Sequence, residues 1–418
     1  MQEPSSDGQA TRLSDLTPQQ WKSGAAAWLG WLFDGLDMHL YTLVALPFVA
    51  ELLDLPETRK EVRDCGSWIM AAFLIGWALG GAFFGIVGDR IGRSRTLMLT
   101  ILTYALFTGL SYFAQTWWQL LIFRFVAALG IGGEWAVGAS LLSETWPQRW
   151  RPWLAAVLQT GVNCGTMLAL LTVYCLAGLS SSRFVFLVGV LPAFLVLWIR
   201  RAVPETAEWQ EARGRSRAAA PRFLDLFRGP TRRTALLTLT VCSLSLTAHW
   251  AFQFWNYAQL RQLSALEELT QAERTRLFTV GPAILICFSI MGNFIAALLA
   301  LKVGYRRAIA ILCVGYFAMM YGAYGVPRRH DELYPWLAGI GACHGIFALF
   351  TMYLPPLFPT LLRTTGAGFC YNFGRIAAGL GTVLFGLFAE VGDYRLALFY
   401  AGFLFLPAAA IAWLMPDT

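Results

Sequence analysis

The sequence predicts an all-α membrane protein whose twelve spanning helices divide into two halves of six. Three observations carry that prediction: too little charge for a water-facing surface, twelve apolar runs of spanning length, and two loop patterns that recur at one offset. Apolar residues make up 57% of the 418 and charged residues 14%, against about 25% charged in soluble domains. A soluble chain of this length divides into two or three domains, each needing a polar cover that this composition cannot supply. It would show apolar stretches of about 4–8 residues between polar turns, whereas these run on much further.

A spanning helix needs about 20 mostly apolar residues. Runs that meet this need lie near 24–50, 65–87, 96–114, 118–142, 153–177 and 183–200, then near 234–258, 277–301, 306–326, 334–356, 365–389 and 396–415. The chain therefore reads as a polar tail at 1–23, a six-helix bundle at 24–200, a basic linker at 201–233 and a second six-helix bundle at 234–418. The tail lacks the apolar stretch of a signal peptide and reads as cytoplasmic.

The net charge of +7 does not point to nucleic acid, because the basic residues sit in short loops between apolar runs. With the N-terminus inside, the inner segments hold 20 Lys and Arg and the outer loops 10, which places both termini and the linker in the cytoplasm. Arg124 and Arg375 are left over, inside predicted helices. The eight cysteines fall within or beside apolar runs without metal-ligand spacing, so they read as small core residues.

The internal repeat is visible in two loops. Gly88-Asp-Arg-Ile-Gly92-Arg-Ser-Arg95 closes the second helix, and Leu301-Lys-Val-Gly304-Tyr-Arg-Arg307 closes the eighth. Aligning Gly92 with Gly304 gives an offset of 212, which also sets Pro147 on Pro359 and Arg151 on Arg363. Duplicated halves of this kind carry substrate sites at their interface near the bilayer midplane.

The run Gly85-Ile-Val-Gly-Asp89-Arg90-Ile-Gly92-Arg93-Ser-Arg95 resembles the loop signature of the major facilitator superfamily, and the resemblance covers the whole chain. Asp34-Gly-Leu-Asp37, Arg124 with Gly130-Ile-Gly132-Gly133-Glu134, Glu144-Thr-Trp-Pro147-Gln-Arg-Trp-Arg151 and Pro204-Glu205 extend it. So does Phe358-Pro359 with Arg363, Gly366, Tyr371-Asn372 and Arg375. Together they resemble the metabolite:proton symporters, especially the sialate and aromatic-acid branches. The resemblance implies the major facilitator fold, organic-acid import, and a loop at 85–95 that stabilises the outward-open state. Leu301 stands where the first half has Asp89 and Pro356 where it has Glu144, so the second half has lost those charges. Residues 157–168 lack a Gly-Pro-rich antiporter signature, which by family logic favours symport over drug/proton exchange.

An ionisable side chain inside a spanning helix costs at least about 2.5–3.5 kcal/mol and is a functional candidate by default. Asp34, Asp37, Arg124, Glu134 and Arg375 qualify. Asp34 and Asp37 share a helix face with Trp31 and Tyr41, and two carboxylates so close in a low dielectric do not both ionise easily. They are expected to couple transport to protons, unless one is held in a permanent pair with Arg124 or Arg375. Arg124 and Glu134 are about 15 Å apart along one helix and cannot pair with each other. Arg124 suits a substrate carboxylate or an Asp partner, while Glu134 suits either proton coupling or the anchoring of neighbouring helices. His39 lies on another face, and His344 reads as a packed core residue.

Arg375, with Tyr371 and Asn372 one turn earlier, is the leading candidate for an anionic substrate, with a structural pairing as the alternative. Two polar stripes, His249, Gln253 and Asn256 on the seventh helix and Gln159 and Asn163 on the fifth, are candidates for lining a cavity. The cytoplasmic gate motif comprises Gly85, Asp89, Arg90, Gly92, Arg93, Arg95, Glu144 and Arg151. Glycines there allow close helix approach, and Asp89 suits a helix N-terminus.

The expected function is secondary active uptake of a small organic anion, such as a carboxylate, aromatic acid or sialate, with a proton by alternating access. The rivals are a sugar or polyol porter of the same fold and a non-transporting membrane sensor. No enzyme chemistry, cofactor or metal site is expected. The expected partners are the anion, the proton and the lipid bilayer, for a monomer in a bacterial inner membrane.

Overall fold

The computed structural model describes residues 12–57, 59–176, 182–215, 222–266, 269–390 and 394–417. Its first helices are α1 Pro18–Leu53, α2 Lys60–Ile91, α3 Arg93–Ser111, α4 Trp117–Thr145 and α5 Arg151–Leu176. The short α6 Val185–Val188 and α7 Pro192–Ala202 follow, then α8 Ala207–Arg215 and α9 Thr231–Leu266. The remainder are α10 Gln271–Val303, α11 Tyr305–Tyr324, α12 Tyr334–Cys343, α13 Gly345–Tyr353, α14 Arg363–Glu390, α15 Tyr394–Gly402 and α16 Phe405–Trp413.

All twelve predicted segments are mainly helical over their described residues. Among those residues, eight spans are long and apolar enough to cross a membrane by length and composition. The other four predicted segments correspond to α1, α3, α6 with α7, and α14. Three segments are broken: the sixth at Gly189–Leu191, the tenth at His344 and the twelfth at Phe403–Leu404. The linker, expected as a plain basic connection, contains the nine-residue helix α8, about two and a half turns, and a 3-10 segment at Phe223–Phe227.

By contact the chain forms two compact units, Met1–Leu226 with Phe358–Asn372, and Phe227–Leu357 with Phe373–Thr418. In the first unit, Gly76 and Gly80 of α2 lie against carbonyls of α4, and Gly35 of α1 lies against the backbone of Val162 in α5. Small residues at these crossings let backbones approach, which is how helices associate where lipid removes the hydrophobic drive. In the second unit Gly292 of α10 meets the backbone of Ala342 in α12. Gly292 is Gly80 moved by the repeat offset.

The two joints that revealed the repeat share their backbone conformation. Gly92 (φ 107°) and Gly304 (φ 83°) each end one helix and begin the next. Their amides donate to Gly88 and Ala300, again one offset apart. Pro147 and Pro359 both sit at ψ near 140° before a one-turn 3-10 segment that leads into Arg151 and Arg363. The first joint is crowded by the Glu205 carboxylate, whereas a side chain at Gly304 would meet nothing within 4 Å.

The cysteines divide differently from the expectation. Cys242, Cys313 and Cys370 are buried, but Cys164, Cys175 and Cys287 lie exposed on helix surfaces beside residues such as Leu170, Leu171 and Ile286. A lipid-facing surface is as apolar as a core, so composition alone does not separate the two.

Candidate functional site

Four of the five charged residues predicted within helices, Asp34, Asp37, Arg124 and Glu134, lie in the first unit, and Arg375 lies in the second. Asp37 of α1 and Arg124 of α4 form a two-pronged pair, with Arg124 Nη2 donating to Oδ2 at 2.7 Å and Nη1 to Oδ1 at 3.2 Å. The Thr108 hydroxyl of α3 accepts from Nη1 at 3.1 Å and donates to Asp37 Oδ1. Arg124 is wholly buried and Asp37 is 1% exposed. The guanidinium carbon lies 5.0 Å from the Tyr41 ring centroid, 5.2 Å from Phe73 and 5.9 Å from Phe186. Of the two partners the sequence left open for Arg124, this arrangement supplies the aspartate, and Tyr41 belongs to the wall around the pair.

Further along the same helices, Glu134 of α4 is wholly buried. Its Oε1 occupies the position that a methyl on Gly30 of α1 would take. Its polar neighbours are Asp34 and Tyr104, and Tyr104 also faces both aspartates of α1. Thr108 and Tyr104 lie one turn apart on α3, so a single helix face serves both ends of the acid cluster. No spacing rule links α3 to α1, so neither residue stands out from sequence pattern alone. His39 lies apart, with Nδ1 at 2.8 Å from the Gly35 carbonyl and 3.2 Å from the Thr166 hydroxyl.

The gate motif forms a second network in this unit. The wholly buried Arg93 directs Nε at both oxygens of Glu144, at 3.0 and 3.2 Å, and Nη2 at Glu144 Oε1 at 2.8 Å. Its Nη1 donates to Asp89 at 3.0 Å and to the Gly88 carbonyl at 2.8 Å, and Nη2 reaches the Thr360 carbonyl at 2.5 Å. Glu144 also takes Arg363 Nη1 at 3.0 Å and the Thr206 hydroxyl at 2.5 Å. Asp89 accepts from the amides of Thr364 and Thr365 at 3.1 and 2.8 Å, the first-turn donors of α14. A carboxylate there satisfies orphan amides and opposes the positive helix end.

Above Asp89 the seam continues through glycines. Gly85 abuts the backbone of Thr364 and Thr365, and Gly81 abuts Gly368 and the Asn372 amide. Trp135 of α4 stacks on Tyr371 of α14 at 4.1 Å between centroids and 9° between planes. Thus Tyr371 and Asn372 pack within this seam.

The linker completes the network. Glu205 accepts from the amides of Arg93 and Ser94 at 2.5 and 3.2 Å, capping α3. The Trp209 indole of α8 donates to the Asp89 carbonyl at 2.9 Å, and Glu208 binds Arg363 at 2.8 Å and the Thr360 hydroxyl at 3.0 Å. Partial burial acts to raise the Glu208 carboxyl, but the Arg363 guanidinium and Thr360 hydroxyl outweigh it and hold the group below the ordinary glutamate range. Arg90 and Arg95 are exposed, and Arg151 donates to the Trp146 carbonyl at 3.2 Å.

In the second unit His249 and His344 meet at Tyr316. The Tyr316 hydroxyl lies 3.2 Å from His249 Nδ1 and 3.0 Å from His344 Nε2. Asn256 accepts from the Tyr324 hydroxyl at 3.0 Å. His344, expected to pack as a core residue, instead stands at the break between α12 and α13 as a hydrogen-bonded member of the stripe's cluster. The tyrosines of α11 form one further polar row that the sequence reading missed. Gln253 and Arg375 are partly buried, as are Gln159 and Asn163, where the Asn163 amide donates to the Gln159 carbonyl at 3.3 Å. Among the described residues no group of three or more His, Cys, Asp or Glu is placed to hold a metal ion.

Residues 27–362, most of the chain including the gate motif and the acid cluster, match the profile of the Major Facilitator Superfamily. The chain belongs to the major facilitator superfamily. It shares 34% identity over 88% of its length and 83% of the relative's with a probable 4-methylmuconolactone transporter of Cupriavidus pinatubonensis. It shares 28% with the sialic acid transporter NanX of Escherichia coli, covering 88% and 87% of the two chains. The cis,cis-muconate transport protein of Acinetobacter baylyi is 27% identical over 95% and 94%. The fold matches that of the proton:xylose symporter XylE with a TM-score of 0.73 at 18% identity, over 96% of each chain. The protein is therefore an integral membrane transporter of the twelve-helix superfamily fold, a family of carriers and not of enzymes.

Proposed function

We propose that this transporter takes up a small organic anion together with a proton by alternating access. The observation that carries the reading is the buried cluster of α1, α3 and α4, where Asp37 pairs with Arg124 and Asp34, Asp37 and Glu134 all lie near Tyr104. Carboxyls gathered in a membrane core are candidates for binding a proton. The named relatives transport sialic acid, a muconolactone and muconate, which supports a carboxylate as cargo. Asp34, Asp37 and Glu134 serve the proton in this reading. Arg375, with the polar stripe of α9 in the same unit, serves the anion.

The network of Asp89, Arg93, Glu144 and Arg363 acts as a cytoplasmic latch on the start of α14. The excess of basic residues in the linker and inner loops supports cytoplasmic termini, in a monomer of the bacterial inner membrane. The test is uptake into proteoliposomes across a panel of carboxylates and sugars, with and without an inward proton gradient. Gradient-driven accumulation of a carboxylate is expected, and accumulation of sugars alone, or uptake indifferent to the gradient, would reject the reading.

A further inference from the structure

At the end of α11 remote from the Gly304 joint, one arginine is held in a fixed pose at the protein surface. Arg328 donates from Nε to the Gly322 carbonyl at 2.7 Å, a basic side chain closing on the last turn of a helix as the helix dipole favours. Its guanidinium carbon lies 5.0 Å from the centre of the Trp336 ring. Trp336 in turn is seated on Gly322, where a methyl would fall 2.0 Å from the indole. With Nε tethered and one face on the indole, the guanidinium plane is set. Its outer edge, Nη1 and Nη2, suits a two-pronged contact with an oxyanion.

The neighbouring charges leave that edge positive. Arg329 pairs with Asp331 at 3.6 Å, and its amide donates to Glu332 at 3.3 Å. Arg395 of α15 sends Nη1 to the carbonyls of Tyr324 and Gly325 at 2.8 and 3.4 Å, which brings a further cation to the same helix end.

Arg328 forms one wall of a cleft of about 150 Å³, with Tyr321, Gly322, Gly325, Val326 and Phe399 as the others. Pockets that enclose a whole small ligand run to about 300–1,000 Å³, so this one suits the headgroup of a molecule whose remainder lies outside. An apolar track leads away from it. Ile311, Val314, Ala318 and Tyr321 are exposed at helical spacing along α11, over about 15 Å. Beside that track, Tyr321 meets Phe399 at 5.4 Å and Phe317 meets Phe403 at 5.1 Å between ring centres. Aromatic rings gather where acyl chains give way to headgroups.

We propose that this end of the second unit is a binding site for an anionic phospholipid, its phosphodiester on the Arg328 fork and an acyl chain along the exposed face of α11. A zwitterionic lipid brings the same phosphate with a cation of its own, which the arginines at this helix end disfavour. On the orientation proposed above, the lipid belongs to the outer leaflet. The site depends on neither the cargo nor the proton.

Native mass spectrometry of the full chain tests this, with phosphatidylglycerol or phosphatidylethanolamine of identical chains added. Preferential retention of phosphatidylglycerol is expected, weakened about tenfold by Arg328→Gln, as for the loss of one charged hydrogen-bonded contact. Val326→Glu sets a repelling carboxylate on the exposed lip of the cleft. It should abolish the preference whether or not the Arg328 variant folds well. Arg329→Gln, at a side chain already turned to Asp331, should keep most of it. Glycerol phosphate in large excess should not displace the lipid, because it lacks the chains that lie on α11. Equal retention of the two lipids, or an undiminished preference in either Arg328→Gln or Val326→Glu, overturns the proposal. So does a loss in Arg329→Gln as large as in Arg328→Gln, or displacement by glycerol phosphate. No substrate or gradient enters the measurement, so its outcome is separate from that of the uptake assay.

Discussion

Asp37 and Arg124 face each other across α1 and α4 through two parallel contacts, the shorter 2.7 Å, in a space with no measurable exposure at the guanidinium. Their separate removal is expected to differ sharply from their joint removal. Asp37→Asn or Arg124→Gln leaves one buried charge and should cost about 3–5 kcal/mol. The double variant leaves none and should recover most of that stability. Thermal unfolding of the three variants in detergent checks this, and Arg124→Lys should fall short of wild type because an ammonium lacks the planar fork.

The seam between α2 and α14 has a built-in reporter. Cys370 is fully buried on α14, two residues beyond Gly368, which abuts the Gly81 carbonyl. Asp89→Asn replaces one of the two carboxylate oxygens that accept from α14 amides with a donor, and Gly368→Val places atoms where the α2 backbone runs. Both should raise the rate at which Cys370 reacts with a small maleimide by about tenfold or more, as expected if one or two charge-assisted bonds of about 1.5–3 kcal/mol are lost. Peptide mass spectrometry separates this thiol from the exposed Cys164, Cys175 and Cys287.

Gly92 and Gly304 offer a matched comparison, since both require positive φ. Alanine at either position incurs a positive-φ strain of about 1–3 kcal/mol, because with ψ near 160° both lie in a region that is essentially glycine-only. Only at Gly92 does the new methyl also strike the Glu205 carboxylate that caps α3. Gly92→Ala should therefore lower the melting temperature clearly more than Gly304→Ala.

Tyr316→Phe deletes the hydroxyl shared by His249 and His344. Two ring nitrogens, that of His344 buried and that of His249 partly buried, then lose a partner, at up to about 1–3 kcal/mol each. The variant should be destabilised, and hydrogen exchange should quicken around His344, where α12 gives way to α13.

Glu208 sets a pH response at the linker. Its folded-state value lies below the ordinary one, so its contribution is present above the unfolded value of about 4.3 and fades as pH falls through the lower folded value. Because the side chain is 44% exposed, the effect should stay below about 1 kcal/mol. Protease cleavage within the linker should rise in acid for the wild type, and Glu208→Gln should show the faster cleavage already at neutral pH.

The helices, the duplicated halves and the gate loop were legible in the sequence because each depends on local pattern. Apolar run length marks a span, and a repeated glycine with its proline partner marks a joint. The residues of chemistry were legible as intramembrane charges, but their partners were not. Thr108 and Tyr104 look like ordinary members of α3 until the fold sets them against Asp37 and Glu134. Glu205, Thr206 and Glu208 look like linker polarity until α8 docks beside Asp89. His344 gave no periodic signal because its partner, Tyr316, comes from another helix. Sequence spacing reports neighbours along one element, whereas buried charges are satisfied across elements.

The emptiness around Gly304 has a practical meaning. Lys302 and Gly304 are exposed and a side chain at Gly304 would meet nothing within 4 Å, so a short epitope or fluorophore can be inserted between α10 and α11 without crowding the turn. The equivalent turn at Gly92 would tolerate no such graft, because every donor of the adjoining Arg93 guanidinium is engaged. The ancestral duplication thus left one joint as machinery and its twin as a handle, suited to tethering the protein for single-molecule work.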